Sequence, residues 1–304
     1  MTPTLGFWIG FHLFIALLLI ADLGFFHRKA HAIKFKEACF LSAGWIGISL
    51  LFNLFVYYAF GSDKALQFFT GYIIEKSLSV DNLFLFLIFF LHFRTPPANQ
   101  HKILYWGIIG ALIFRITLIL AGLAILERFY WMYYIFGLFL VVTGVKFALE
   151  KEKKDPSQSR LLQFFKKILP VAKGNAHQNF FIQEKGRWKV TSLFLALLMI
   201  ESVDIMFALD SIPAIFAITT DPFIVYTSNV FAILGLRSLY FVLAASLEKL
   251  HYFKYGLAAI LVFVGGKMLL ADLIPLSVSA SLAIIIAILA LTALMSKCAI
   301  CNRK

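Results

Sequence analysis

Apolar residues run along this chain in blocks too long for the core-facing stripe of a soluble helix. Set against the polar breaks, they give nine predicted spans, near 5–26, 38–60, 66–91, 103–126, 129–149, 191–218, 222–247, 253–272 and 276–297. A run such as 191–218, at about 1.5 Å of rise per residue, crosses a hydrocarbon layer of about 30 Å. The pattern predicts an all-α polytopic membrane protein of about nine transmembrane helices, with 1–304 as a single integral membrane domain. Residues 1–7 lack a basic leader, so a cleavable signal is not expected. The longest stretch between spans, 150–190, opens on the polar linker Glu150–Arg160 and continues into a Lys-rich amphipathic patch over Leu161–Leu169. That patch reads either as a segment lying on the membrane surface or as a solvated basic loop.

Composition strengthens this picture. The 304 residues are 61% hydrophobic and only 14% charged, against about 25% in ordinary globular domains. A soluble domain could not bury that much apolar surface. The net charge of +12 could suggest nucleic acid, but its distribution points elsewhere. Of 28 Lys and Arg, 21 fall in alternate loops and the tail or, as Lys254 and Lys297 do, at the span edges beside them, against Lys64 and Arg128 in the remaining loops. By the positive-inside rule the N-terminus is outside and the C-terminus, with the basic loop 150–190, is cytoplasmic. The charge is thus a topology signal, and no nucleic-acid partner is implied. Of Cys39, Cys298 and Cys301, the last two form a C-x-x-C, and two thiolates alone do not complete a zinc site.

Five cations remain inside spans: Lys76, Arg115, Lys146, Arg237 and Lys267. The sixth span also carries Glu201, Asp204 and Asp210, followed by Pro213. An acid at mid-membrane costs about 3 kcal/mol on insertion scales, so three in one helix need a cause. Pro213 removes an N–H and frees the carbonyl of Leu209, so a broken helix lining an ion site is expected here.

The charges also recur. Ser-Val-Asp-Asn at 79–82 matches Ser-Val-Asp-Ile at 202–205. With Asp81 set on Asp204, Arg115 follows 34 residues later and Arg237 33 residues later. Lys146, in Gly-Val-Lys, and Lys267, in Gly-Gly-Lys, come 31 and 30 residues beyond these. Three spans and a cytoplasmic loop separate the copies, so the repeat is inverted: spans 3–5 (66–149) against spans 6–8 (191–272). Secondary transporters built this way bind substrate at the midplane between repeats. Asp81 and Asp204 fall near their span centres.

Hard divalent cations take carboxylate, carbonyl and amide oxygens. Asp81, Asp204, Glu75 or Glu201, Asn82 and a carbonyl near Pro213 supply such a set. His12 and His92 are isolated, and no buried His or Cys pair favours zinc or copper. A simpler reading is neutralisation, five buried acids facing five buried cations, with Arg115 and Arg237 as structural partners. Asp22 is either a site acid or an interfacial residue. Glu75, beside Lys76, is either a ligand or an ion-pair partner. No nucleophile-base pair or phosphate-cradling glycine loop appears, so neither an enzyme nor a resident cofactor is expected.

Asp22-Leu-Gly-Phe-Phe-His-Arg-Lys-Ala-His31 resembles the first-span signature of the TerC/Alx family. Glu75–Asn82, Glu201–Pro213 and Asn229–Arg237 are similar to that family's polar segments, and the likeness covers nearly the whole chain. The resemblance implies an inner-membrane protein related to LysE-type exporters, associated with manganese efflux in some members and with tellurium resistance by name. It carries over Asp22, Glu75, Asp81, Asn82, Glu201, Asp204 and Asp210 as metal-site residues. The expected function is export of a divalent cation, Mn²⁺ first, across the lipid bilayer. The competing expectation is a stress-resistance scaffold that recruits a soluble partner through the cytoplasmic loop.

Overall fold

A computed structural model describes residues 5–26, 35–93, 95–149, 160–172, 179–184, 186–244, 253–273 and 276–301. The helices are α1 (Leu5–Phe26), α2 (Phe35–Phe60), α3 (Ser62–His92), α4 (Pro97–Arg128), α5 (Met132–Leu149), α6 (Arg160–Ile168), α7 (Ser192–Phe216), α8 (Pro222–Leu234), α9 (Leu236–Ala244), α10 (Phe253–Leu269) and α11 (Val278–Cys301). Two strands, β1 (Phe181–Glu184) and β2 (Arg187–Val190), lie between α6 and α7.

Each expected span falls on a helix. Among the described residues six, α1, α2, α4, α5, α7 and α11, are long and apolar enough to cross a membrane, and the α8–α9 pair, bent by 42°, is a seventh if taken as one span. The others differ for local reasons: α3 holds Glu75, Lys76 and Asp81 close together, and α10 is a shorter apolar helix.

Burial separates a centre from a periphery. Every residue of α8 from Phe223 to Leu234 is buried, the mark of a helix wrapped on all sides by others. Around it pack α3 and α4, with a smaller contact from α2, and the apolar side chains of α3, α4 and α7 form one continuous core with those of α8. The outer helices keep large side chains exposed, among them Leu13, Leu17 and Ile20 of α1 and Leu138 and Val142 of α5. Such faces suit lipid.

Small residues allow the closest approaches, as in other membrane bundles. Helix α5 crosses α10 backbone to backbone. A Cβ on Gly265 would come within 2.6 Å of the Gly137 carbonyl oxygen, and one on Gly144 within 2.9 Å of that of Ala258. Along α4, Gly107 faces Ile200, Gly110 faces Glu201, and Gly122 faces Phe216 of α7. Gly61, at φ +92°, turns the chain between α2 and α3 in a single residue.

Two expectations change. Helix α7 runs through Pro213 without breaking, its last turn closed by bonds such as Ala217 N to Pro213 O at 3.2 Å. The break falls instead at Gly235, between α8 and α9. Second, the loop 150–190 is not wholly loop. Amphipathic α6 buries Leu162 and packs on α7, and the β1–β2 hairpin pairs Phe181 with Val190 and turns at Gly186, φ +77°.

Candidate functional site at the Arg115 cluster

Arg115 of α4 is 1% exposed and sits where α3, α4, α7 and α8 meet. Its guanidinium forks onto Asp204 of α7, with Nη2 donating to Oδ1 at 3.2 Å and Nε to Oδ2 at 3.5 Å. Nη1 donates to Glu75 Oε1 of α3, to Asn229 Oδ1 of α8 at 2.6 Å and to Ser211 Oγ of α7 at 3.4 Å. The planar donor fork of arginine suits this convergence, which lysine's single ammonium could not reproduce. One guanidinium here faces two carboxyl groups in a buried place.

Two small cavities flank it. One, of about 40 Å³, lies between α3, α5, α7 and α10, with Glu75, Asn82, Thr143, Asp210 and Ser211 on its walls. Glu75 Oε1 is occupied by Arg115 and by Ser79 Oγ at 3.3 Å, whereas Glu75 Oε2 and Asn82 Oδ1 are buried without a hydrogen-bond partner. Buried oxygens left this way are costly, and they commonly mark a functional position. The other cavity, of about 20 Å³, lies beside Asp204, Gly107, Ile200 and Arg237. The Arg115 cluster stands between them.

The remaining expected residues are distributed around this centre. Glu201 lies one turn before Asp204 on α7, pressed against α4 where Gly110 has no side chain, with Oε2 buried and unpartnered. Asp210 sits at the larger cavity with Thr143 and Lys146 of α5 as polar neighbours. Asp22 is drawn off to a buried ion pair with Arg237. The side chain of Asp81 lies outside the described residues, although its backbone is part of α3. Among the described residues no three His, Cys, Asp or Glu side chains gather as a ready metal-ligand set. His12 bonds the Trp8 carbonyl at 2.8 Å and the Tyr226 hydroxyl at 3.2 Å. The side chains of His92, Cys298 and Cys301 lie outside the described residues.

Sequence reasoning gave no site role to Asn229, Ser211, Thr143 or Gly110, although Asn229 and Ser211 fall in segments that it singled out. Asn229 had a signal, an amide inside an apolar span, since such a group needs a polar partner there. Gly110 had none, because its role depends on which α7 residue faces it.

The chain matches the family described as "Integral membrane protein TerC family" over residues 60–304. It is 50% identical to an uncharacterized membrane protein of Myxococcus xanthus over 285 residues, 93% of this chain and 89% of the relative. It is 44% identical over 301 residues to a protein of Escherichia coli (strain K12) named "Putative membrane-bound redox modulator Alx", 96% of this chain and 93% of the relative. A protein of the same name from Salmonella typhi is 42% identical over 301 residues, with the same coverage of each chain. No solved structure matches. The buried ionic centre thus sits in a lipid-embedded helical bundle, and the chain belongs to the TerC family of integral membrane proteins.

Proposed function

We propose that this chain is a transporter that exports a divalent metal cation, Mn²⁺ first, through its buried acidic centre. The observation that carries the reading is the pair of unpartnered oxygens, Glu75 Oε2 and Asn82 Oδ1, on a small cavity beside a cluster in which one guanidinium faces two carboxylates. Carboxylate, amide and hydroxyl oxygens are the donors that manganese takes. Glu75, Asp204, Asp210, Glu201, Asn82 and Asp81 are the residues assigned to the cation's path. Arg115 is their counter-charge when no metal is held. Asp22, engaged by Arg237, is assigned to holding α1 against α9. No enzymatic step and no resident cofactor belong to this reading.

The proposed architecture is an inverted repeat of 66–149 and 191–272 in the bacterial inner membrane. The N-terminus is outside, and the basic loop 150–190 and the C-terminus are cytoplasmic. The α5–α10 crossing supports it. In the register that sets Gly144 on Gly265, Gly137 falls on Ala258. The contacts Gly137–Gly265 and Gly144–Ala258 therefore exchange with one another, as a two-fold axis requires.

The scaffold reading has one observation in its favour. The α6–hairpin unit exposes Phe164, Ile168, Phe181 and Trp188 within a basic segment, a surface that a soluble partner could cover. The Escherichia coli and Salmonella typhi relatives are named as putative redox modulators, and Cys39 of this chain is free and half-buried. Cellular manganese with and without the protein, and with Asp204→Asn, tests the transport reading: a transporter loses efflux while still inserting, whereas a scaffold keeps its partner.

A further inference from the structure

Lys76 follows Glu75 on α3 but serves a different place. Its Nζ donates to the backbone carbonyl of Ala232 at 3.2 Å, in the last turn of α8 just before the break at Gly235. When a helix ends, its final carbonyls have no N–H one turn ahead to accept from, and the helix end carries a partial negative charge. The break also makes room for the ammonium: a Cβ on Gly235 would lie 2.7 Å from Nζ, with Trp45 of α2 at 3.2 Å on its other side. Gly235 therefore has a steric task of its own. It lets a cation come to the end of a broken membrane helix.

Elsewhere, the C-terminal ends of broken membrane helices coordinate free alkali cations through such carbonyls. We propose that the end of α8 is a monovalent-cation site, filled in this protein by the Lys76 ammonium as a tethered ion. Its ligand class is a small monovalent cation held by backbone carbonyl oxygen: ammonium, potassium or sodium. In the wild-type chain the position draws on no alkali cation, because the side chain supplies the charge. Without the side chain, the carbonyl end of α8 is left in a low-dielectric setting and takes up a free ion.

The experiment reads folding alone, so it stands or falls independently of the transport proposal. Wild-type protein, Lys76→Ala and Lys76→Gln are purified in detergent and melted in ammonium, potassium, sodium or choline chloride at one ionic strength. For Lys76→Ala the expected result is a saturable rise in apparent Tm, about 3 °C at a tenfold excess over Kd, with one or more of the small cations and none with choline. The Gln side chain keeps an N–H donor for Ala232 without the charge, so Lys76→Gln responds less. The wild type stays flat. Recovery of folded Lys76→Ala only when it is solubilised in a small cation also supports the site. Melting curves of Lys76→Ala that coincide in all four salts contradict it, as does an equal rise in the wild type. If Lys76→Ala cannot be recovered in any salt, Lys76→Gln decides: a rise with a small cation supports the site, and no rise, or failure to fold in every salt, contradicts it.

Discussion

Arg115 and Asp204 meet through a two-pronged contact, Nη2 to Oδ1 at 3.2 Å and Nε to Oδ2 at 3.5 Å, with both side chains almost wholly buried. The contact joins α4 to α7, and the bond from the same guanidinium to Glu75 adds α3. A cation that binds Asp204 must therefore compete with a residue of the protein itself. On the transport reading proposed above, fold stability and cation binding would converge on one guanidinium.

Removing that guanidinium should be severe. Arg115→Met leaves Glu75 and Asp204 buried without their counter-charge, and losing one partner of a buried ion pair costs about 3–5 kcal/mol. Asp204→Asn leaves the Arg115–Glu75 pair neutral and should cost much less. Thermal unfolding of the detergent-solubilised variants checks the order. Equal losses would mean that the guanidinium is not what holds the three helices together.

Glu201 can be moved without touching any charge. A Cβ on Gly110 would sit 2.2 Å from Glu201 Oε1, the far end of a flexible side chain. Gly110→Ala should therefore displace the carboxylate at a stability cost of about 1 kcal/mol or less. Manganese efflux should fall while membrane levels hold. Unchanged efflux would remove Glu201 from the cation's path.

At the α5–α10 crossing the neighbours are backbone, which cannot yield so easily. Gly144→Leu and Gly265→Leu should each destabilise by about 1–3 kcal/mol through overpacking. Gly266→Ala, with nothing near its missing Cβ, should be close to neutral. Expression level and melting temperature of the three variants report the contrast. A destabilised Gly266→Ala beside a tolerant Gly265→Leu would assign the wrong face of α10 to the contact.

Orientation is tested by reporters. One fused within 155–185 should be cytoplasmic, and one near Asp221 should be external, as the charge split of 21 against 2 requires. Opposite results at both sites would overturn the orientation.

Much of the helix layout was legible because hydropathy and length decide where a chain is helical in lipid. The intramembrane charges stood out for the same reason, since each is too costly to be incidental. Their pairing was not legible. Arg115 and Arg237 were legible as structural partners of the acids, but not that Arg115 reaches Asp204 and Arg237 bonds Asp22 from the first helix. Pro213 looked like the breaker because it lacks an N–H, but α7 accommodates that loss. Gly235, unremarkable in sequence, breaks the helix where Lys76 needs room. The β1–β2 hairpin escaped notice because its strands are only four residues each, too short for an alternation signal.

The most direct test of the central claim is cellular manganese in cells expressing wild-type or Asp204→Asn protein at matched membrane levels. The substitution keeps the side chain's shape, removes one of the two carboxylates on Arg115, and leaves the other to neutralise it. The account predicts that wild-type protein lowers manganese, and that Asp204→Asn inserts normally and leaves it as high as in cells without the protein. Full efflux by a well-expressed Asp204→Asn protein would contradict it.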